Sequence, residues 1–558
     1  MAESPAYLVA DSLIAKISSS HICQASIDID VYDDLQAFKK SLLSIRDWLS
    51  NVDFEKKHLY TTQLQQREIK IVLYDAENMV DEFECERLRN EVVNAHVNSI
   101  TKVASFFSTS NPLVFRLRMA KQIKELDRRI CSSEVASLWE ALGLLPSPNK
   151  YENFIDVANR YLLELMSRSF LQIFSNFGTS FYFQIYDSVN DLARSIAKDE
   201  CHMVNSNIQN VPENVQHLSF AEDDLLGNSF TSKSTVVRTI LFPIEGVGAS
   251  NVAFLNMCVS RYKYLRILDL SDSTYETLPW SIGKLRHLRF LSLERNKKIK
   301  RVPNSICKLH NLQVLNLVGC TKLEILPKGL RSLISLRQLG ITTKEVVLPE
   351  NDIANLNSLE ILNIESCENI QSLFVGIKLP ILRTLTVTKC GSLKSFPLDI
   401  KHFLKLETLF VDNCEYLVLT KGYEDMYFSL RLKAIRLHSL PQLSTLPNWL
   451  QESTNTLQSL TVVDCKNLEV LPEWLSNLSF LVSFAMVNCP KLMFLPNDFH
   501  HLTALGYLRI EGCPELCRKY QPQVGEYWFK ISHISEIFID QPEDLKEDKY
   551  EEYLEEEP

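Results

Sequence analysis

Glycine is missing from the start of this 558-residue chain. The first glycine is Gly143, whereas average usage would put about ten glycines in such a stretch. A loop that wraps a phosphate group needs glycines, because they let backbone N–H groups close around the anion. No GxxxxGK segment followed by Ser or Thr occurs anywhere, since Gly283 and Lys284 precede Leu285. We therefore expect no phosphate-binding loop and no bound cofactor.

The spacings of metal-binding and disulfide-bonded cysteines are also missing. None of the 14 cysteines forms a CxxC pair, which is the usual signature of such sites. The 12 histidines form no ligand cluster; His287, His310 and His501 each come just before a leucine of the repeat described below. No nucleophile, base and oxyanion donors are grouped in the sequence either. We therefore expect no metal site, no disulfide and no enzyme activity.

Long apolar runs are absent as well. No run approaches the length that spans a bilayer, and Asp11 and Lys16 interrupt the apolar stretch at 7–17. The amino terminus also lacks the basic region of a signal peptide. We expect no stable membrane anchor. Many free cysteines without a secretory signal favour a reducing compartment, so the predicted location is the cytoplasm or the nucleus.

The acidic balance of the chain is concentrated at its end. The formal net charge is -10, but residues 540–558 hold ten Asp or Glu and two Lys, a local balance of -8. Only -2 is left for the rest of the chain, because -10 minus -8 is -2. A nearly neutral body does not favour nucleic acid as a partner. Residues 541–558 are predicted to be an acidic, disordered tail.

A leucine pattern dominates the second half of the chain. Eleven copies of Leu-x-x-Leu-x-Leu run from Leu265 to Ile510, at the period of a leucine-rich repeat, in which each repeat adds one short strand to a parallel sheet. Seven copies place a cysteine three residues after the last apolar position, where a small buried side chain fits the turn out of the strand. These cysteines are Cys320, Cys367, Cys390, Cys414, Cys465, Cys489 and Cys513. The sequence predicts a leucine-rich-repeat solenoid over 206–540 with a parallel β-sheet on its concave face.

Candidate recognition residues lie between the inward-pointing leucines of each strand. Because side chains alternate along a strand, these positions face out of the concave sheet. Their mixture of charge and size suits recognition of another protein. The candidates are Asp269, Ser292, Asn316, Asn363, Thr386, Phe410, Arg436, Thr461 and Arg509.

Two modules are predicted before the repeats. Apolar residues recur at alternating spacings of three and four over 35–49, 69–83 and 115–130, and with the amphipathic stretch near Leu13 they predict a four-helix bundle over 1–130. Over 131–205, helical spacing is followed by two apolar runs about Gly178 and by helical spacing again. Helices around a hairpin predict a winged-helix module. Two irregular strand candidates near Leu218 and Ile240 are expected to cap the repeats.

Several motifs are similar to those of one family. Residues 74–83, which read YDAENMVDEF, resemble the acidic motif of the Rx-type coiled-coil domain that opens plant intracellular immune receptors. Residues 138–143 and 165–170 look like the winged-helix part of the NB-ARC module of those receptors, and the chain from Cys513 to Ile531 resembles the end of their repeat domains. The chain is therefore identified as resembling disease resistance proteins of the coiled-coil, NB-ARC, leucine-rich-repeat type.

The resemblance does not extend to the nucleotide-binding core of the family, for which this sequence has no matching segment. Such receptors bind ADP or ATP in a P-loop domain between the coiled-coil and winged-helix segments, but here only Cys131–Ser137 separate the two. In the family's Met-His-Asp motif, Tyr186 stands in place of the histidine, and Asp187 is retained. The resemblance implies that Asp187 monitors a bound nucleotide, but an aspartate at the start of a predicted helix is also a good N-cap.

The acidic motif has two interpretations as well. Glu77 and Asp81 are four residues apart, hence neighbours on one helical face. The resemblance implies that they contact the repeat domain in the resting receptor. Their alternative role is to form a solvated face of the helix.

The function implied by the resemblance is plant defence by protein recognition. The expected partner of the repeats is a pathogen effector or a guarded host protein, and the coiled-coil domain is expected to pair with full-length receptors. Without the nucleotide-binding core, the chain is predicted to be a truncated receptor or an adaptor. Two alternatives stay open: an ADP- or ATP-regulated receptor whose core is missing only from the gene model, and the product of a pseudogene.

Overall fold

The protein is described by a computed structural model that covers most of the second half of the chain and parts of the first. The described residues are 12–19, 39, 43, 130–146, 148, 152–176, 181–185, 189, 193, 196–197, 200–204, 210–220, 231–232, 234–242, 248–249, 251–374, 377–395, 403–419 and 431–540. In these ranges, no helix is both long enough and apolar enough to cross a membrane.

The amino-terminal helical bundle lies almost entirely outside the described residues. Residues 12–17 are helical, and Leu13, Ile14 and Ile17 are buried, as the amphipathic spacing in this stretch predicts. Glu77 and Asp81 of the acidic motif lie outside the described residues.

The next module is built from two helices and a three-stranded sheet. Its elements are β1 (Ile130–Cys131), α1 (Ser132–Leu142), α2 (Phe154–Ser167), β2 (Leu171–Asn176) and β3 (Phe181–Ile185). The strands lie in the order β1-β3-β2 and are antiparallel. The predicted winged-helix hairpin is confirmed by the β2–β3 pair.

Local signals explain where these helices begin and end. Gly143 ends α1 with a left-handed φ of 74°, a conformation that costs a glycine little. Asn153 and Asp156 form a capping box at the start of α2, because each side chain accepts a hydrogen bond from the backbone N–H of the other. Between the helices and the hairpin, Trp139, Phe183 and their neighbours form a buried apolar cluster.

One expectation for this region was wrong. Ile130, predicted as the last residue of a helix, lies in strand β1 and is paired with Phe183. Cys131 ends β1, and Ser132 begins α1. The Oγ of Ser132 accepts a hydrogen bond from the N–H of Phe181, which ties the start of α1 to the hairpin.

The chain is divided into two compact units. The first unit comprises residues 1–296, 302–315 and 327–336, and the second comprises 297–301, 316–326 and 337–558. Strand β11 (Val314–Leu317) has residues in both.

The first unit contains the beginning of a parallel sheet. Its strands lie in the order β4-β6-β8-β9-β10, and β5 and β7 form a separate parallel pair. The bounds are β4 Cys201–Val204, β5 Asn210–Val211, β6 His217–Phe220, β7 Thr231–Ser232, β8 Thr239–Leu241, β9 Ile267–Asp269 and β10 Phe290–Ser292. This unit also contains α3 (Val252–Arg261) and 3-10 helices at Trp280–Lys284, Asn304–Lys308 and Leu330–Ser332.

This sheet begins earlier than the leucine pattern indicates. The two strand candidates predicted as a cap contain β6 and β8, which pair in parallel with each other, and β8 pairs with β9 of the first predicted repeat. Strand β4 also pairs with β6, although Cys201–Val204 lie before the predicted start of the repeats at residue 206. The hydrogen-bonded ladder thus includes strands that lack the full leucine pattern.

The second unit is a parallel sheet in which every strand pairs with the next one in sequence. The order is β12 to β20 without a crossover. The strands are β12 Gln338–Ile341, β13 Ile361–Glu365, β14 Thr384–Thr388, β15 Thr408–Asp412, β16 Ala434–His438, β17 Ser459–Val463, β18 Ser483–Val487, β19 Tyr507–Glu511 and β20 Glu536–Ile539. The helices are α4 Glu350–Ala354, α5 Pro514–Tyr520 and 3-10 turns at Asn448–Ser453, Glu473–Asn477, Phe499–His501 and Trp528–Lys530.

The repeat framework follows the predicted pattern. Strands β9 to β19 match the eleven leucine copies, and the seven cysteines of the ladder are all buried. The thiol of Cys414, for example, lies against a backbone carbonyl, with Sγ 3.3 Å from the oxygen of Asp412. All the cysteines among the described residues are free thiols. The predicted burial of the seven ladder cysteines is confirmed.

A left-handed residue follows most strands of the second unit. Ser366, Lys389, Asn413, Ser439, Asp464 and Asn488 have φ between 46° and 53°, and Gly512 has φ 56°. Each of the six non-glycine residues donates its backbone N–H to a carbonyl of the next repeat, as Ser439 does to Val463. The strain of a positive φ is thus offset by continuing the hydrogen-bonded ladder beyond the strand.

Candidate recognition surface

The second unit presents one regular face of side chains, which we call the open face. Alternate residues of each strand point to it, while the residues between them, such as Leu362 and Ile364, are fully buried. The strands pair in register, so side chains from successive repeats form straight rows. The central row is Asn363, Thr386, Phe410, Arg436, Thr461, Ala485, Arg509 and Phe538.

The sequence-derived candidates in this row are accessible to different degrees. Arg509 is exposed, and the others are half-buried between the neighbouring strands. These half-buried residues are Asn363, Thr386, Phe410, Arg436 and Thr461. The row combines aromatic, arginine and small polar side chains, and the first two classes are enriched where proteins bind one another.

A charged cluster lies beside the central row. Nδ1 of His438 is 2.6 Å from Oδ1 of Asp412, and Nε2 is 3.0 Å from Oδ2 of Asp464. Burial is the largest single influence on His438 and lowers its pKa, and Arg436 also lowers it, but the two carboxylates together outweigh both. The pKa of His438 is therefore raised above its ordinary value, and the imidazolium form is favoured.

The last two strands add an aromatic pair. The rings of Tyr507 and Phe538 are 5.5 Å apart, and Phe538 is 51% exposed. On the same strand as Tyr507, Arg509 Nη2 lies 2.6 Å from Glu511 Oε2. A half-buried tyrosine and an exposed phenylalanine beside a cation are the kind of group that forms an anchor in protein interfaces.

A ladder of ion pairs runs along the residues that precede these strands. Arg337 contacts Glu360 at 3.5 Å, and Arg383 contacts Glu360 at 3.8 Å and Glu407 at 2.8 Å. Lys433 completes the series at 3.1 Å from Glu407. Opposite charges alternate across five consecutive repeats, so the ladder fixes neighbouring repeats to one another by paired charges.

The remaining candidates are engaged in contacts within the protein. Asp269 accepts hydrogen bonds from the N–H and the hydroxyl of Ser271, whose Oγ lies 2.8 Å from that of Ser292. Ser292 is only 2% exposed. Asn316 accepts a hydrogen bond from the N–H of Val318. These three residues have less freedom to meet a partner than the sequence pattern indicates.

One contact of the first unit was not foreseen. Ala141 and Leu142 at the end of α1 pack against Leu241 of β8 and Ile267 of β9. Arg266, which is 1% exposed, donates from Nη1 to the carbonyl oxygen of Leu142 at 2.8 Å. The strands that open the repeat sheet are therefore covered by the winged-helix module.

The other site candidates fall outside the described residues. These are Tyr186 and Asp187 of the winged-helix motif and Glu77 and Asp81 of the acidic motif, and their roles stay predictions. In the part of the chain that the structure describes, a shallow depression lies beside Pro349, Glu350 and Asp352. The Oε1 of Glu350 accepts the N–H of Phe374 there, so this carboxylate holds the backbone in place.

Three family models match the chain in succession. The Rx N-terminal domain matches residues 9–117, the disease resistance protein winged helix domain matches residues 125–193, and the leucine-rich repeat region matches residues 248–468. Seven residues, 118–124, separate the first two matches.

Relatives with curated names carry the same designation. A putative disease resistance protein of Arabidopsis thaliana is 34% identical over 179 residues, which are 30% of this chain and 12% of that protein. The disease resistance protein RGA2 of Solanum bulbocastanum is 29% identical over 163 residues, covering 29% of this chain and 14% of that protein. The chain thus spans less than a fifth of the length of either relative.

Among solved structures, a leucine-rich-repeat protein of Leptospira interrogans is similar. Its identity to this chain is 19%, the match covers 59% of this chain and 93% of that one, and the TM-score is 0.36.

The sheet, the buried leucines and the hairpin module define a leucine-rich-repeat protein with a winged-helix module. With the three matched domains in this order, the chain is similar to plant disease resistance proteins of the coiled-coil, NB-ARC, leucine-rich-repeat type.

Proposed function

We propose that the chain acts in plant defence by binding another protein on its open face, and not by catalysis. The proposal rests chiefly on the central row from Asn363 to Phe538, where registered strands present a continuous surface of variable side chains. The expected partner is a pathogen effector or a guarded host protein. Relatives named for disease resistance support this choice.

The open face can be tested against a matched surface elsewhere on the second unit. The test variant carries Phe410→Ala, Arg436→Ala and Arg509→Ala. The control variant carries Tyr416→Ala, Arg431→Ala and Lys466→Ala, which remove one aromatic ring and two cations from exposed positions. Each protein is expressed in leaves with a panel of candidate effectors and host proteins, and binding is quantified by co-immunoprecipitation.

We expect the wild type and the control variant to bind a common partner. The co-immunoprecipitation signal of the test variant for that partner should be at least about tenfold weaker, because aromatic and Arg side chains dominate such interfaces. Equal retention by all three proteins would show that the open face is not the recognition surface.

We also propose that the chain works without a nucleotide of its own. The support is the sequence: it has no glycine before Gly143 and only seven residues between the matched Rx and winged-helix domains. Without a nucleotide core, the chain has no ligand-driven two-state element of the family's usual kind. Its proposed role is therefore that of an adaptor or a dominant partner of full-length receptors, through the coiled-coil domain.

The proposed location is the cytoplasm or the nucleus, supported by the free thiols of the repeat ladder. The adaptor role is tested by transient expression in leaves, alone and beside an intact receptor of the same type. We expect interference with the intact receptor and no cell death from this chain alone. Strong cell death from the chain alone that Glu77→Ala and Asp81→Ala abolish would contradict the adaptor role.

A further inference from the structure

Three potential metal ligands meet on one turn of the second unit. Asp498, His500 and His501 each offer a ligand atom, and these atoms all lie within 4.8 Å of one another. All three side chains are exposed, and the two imidazole rings have centroids 4.3 Å apart. The turn belongs neither to the open face nor to the winged-helix module.

The backbone of this turn is held firmly in place. Phe499, between the ligands, is fully buried and packs its ring 5.6 Å from that of Phe484. His501 donates its N–H to the oxygen of Asp498 at 2.9 Å. Because Phe499 anchors the 3-10 turn in the core, the residues on either side are directed outward together.

The residue before the turn is fixed as well. Glu473, in the equivalent turn of the preceding repeat, accepts the backbone N–H of Asn497 at 3.0 Å and its side-chain amide at 3.1 Å. The backbone that carries the three ligands is thus tied to the core on one side and to the neighbouring repeat on the other. Because this backbone is already ordered, binding of an ion costs little further backbone entropy.

The same turn in the preceding repeat has no such set of side chains. There Leu475 is the buried anchor, and the positions that correspond to Asp498, His500 and His501 hold Trp474, Ser476 and Asn477. The framework of the repeat therefore does not require two histidines and an aspartate at these positions.

We propose that Asp498, His500 and His501 form a binding site for a divalent transition-metal ion such as Zn²⁺. Imidazole nitrogens suit Zn²⁺, Cu²⁺ and Ni²⁺, and a carboxylate supplies a negative charge. Zn–N bonds of about 2.0–2.1 Å place tetrahedral ligands about 3.4 Å apart. The side chains must therefore close by up to about 1.4 Å from a separation of 4.8 Å, which rotation of exposed side chains allows.

Three protein ligands leave a coordination position open. Water fills it in the isolated protein, and a histidine or carboxylate of another molecule can replace that water. The site would then join two proteins through the ion, by chemistry independent of the open face.

The test is calorimetric titration of ZnCl₂ into the full chain after removal of any affinity tag. The key variant is the double substitution His500→Ala and His501→Ala. Asp498→Asn tests the carboxylate alone. His533→Ala is the matched control, because His533 is another exposed histidine of the same unit. Circular dichroism verifies that every variant is folded.

We expect the wild type and His533→Ala to bind one ion with equal affinity in the micromolar range. The double variant should lose at least about 100-fold in affinity and Asp498→Asn about tenfold, since each removes ligands of the ion. The electron paramagnetic resonance spectrum of the Cu²⁺-bound wild type should also show hyperfine splitting from nitrogen ligands, and the spectrum of the double variant should lack it. Absence of saturable binding to the wild type, or unchanged binding by the double variant, would overturn the proposal.

Discussion

Nδ1 of His438 lies 2.6 Å from Oδ1 of Asp412, while Asp464 contacts the other ring nitrogen at 3.0 Å. One imidazole thus joins the carboxylates of two neighbouring repeats. These carboxylates raise the pKa of His438 despite its burial, so the folded state binds the proton more tightly than the unfolded state.

The first prediction is a pH-dependent contribution of His438 to stability. Because its folded pKa is raised, its contribution is fully present below the ordinary imidazole pKa of about 6.5 and is lost as pH rises through the raised value. Urea unfolding of the wild type and of His438→Asn is measured between about pH 5.5 and 8.5. The difference between their free energies of unfolding should shrink as pH rises. His533→Asn is the exposed control. A difference that grows with pH would contradict the raised pKa.

The second prediction concerns the cysteine ladder. Cys414 is fully buried, so Cys414→Asp would bury a charge without a partner and should lower the free energy of unfolding by at least about 3 kcal/mol. Cys414→Ala removes only the sulfur and should cost about 1 kcal/mol. Urea denaturation measures both variants. Adding a reducing agent to the wild type should leave the midpoint unchanged, and a lowered midpoint would reveal a disulfide.

Arg266 supplies the third prediction. Arg266→Met keeps the apolar stem but leaves the carbonyl of Leu142 without this buried donor, which should cost about 1–3 kcal/mol. Hydrogen exchange of the backbone amides of α1 should also become faster. Lys263→Met, an exposed substitution nearby, should change neither measurement. Unchanged exchange over α1 in Arg266→Met would mean that this hydrogen bond does not hold the winged-helix module on the sheet.

The fourth prediction addresses the ion-pair ladder. Arg383 joins Glu360 to Glu407, and its side chain is 22% exposed. Arg383→Met should lower the free energy of unfolding, measured by urea denaturation, by about 1 kcal/mol at low salt. The loss should be smaller at high salt, because ions screen the charges. Arg301 and Glu324 form an exposed pair, so Arg301→Met should have almost no effect. A cost for Arg383→Met that does not change with salt would show that packing, not charge, dominates there.

The fifth prediction concerns nucleotides. The full chain should not bind ATP or ADP with Mg²⁺ at micromolar concentrations, because the sequence offers no glycine-rich phosphate loop. Titration calorimetry checks this prediction. Saturable binding that Asp187→Ala abolishes would instead support a nucleotide-regulated receptor.

The repeat framework could be predicted because each part depends on nearby residues. The spacing of Leu362 and Ile364 sets which side of the strand is buried, and Cys367 follows at the turn in the same repeat. By contrast, the contact between Arg266 and Leu142 joins residues 124 positions apart. No local spacing indicates that a helix end will cover that strand.

Parts of the candidate surface were predictable for the same reason. The central row follows from strand alternation, but Ser292 also contacts the hydroxyl of Ser271 from the preceding repeat. The link from His438 to Asp412 could have been found by aligning the repeats, since these residues are register partners. Asp464 lies beyond its strand at a left-handed position, so strand register alone would not have included it.

The unbroken register of the second unit also has a genetic consequence. Every strand from β12 to β19 places the same repeat position beside its neighbour, so copying or deleting one whole repeat in the gene leaves the alternation of buried and outward residues intact. Inserting a single codon within a strand would exchange the two sides for the rest of that strand. Unequal crossing-over between repeats can thus change the length of the array and the order of its surface residues while keeping its core.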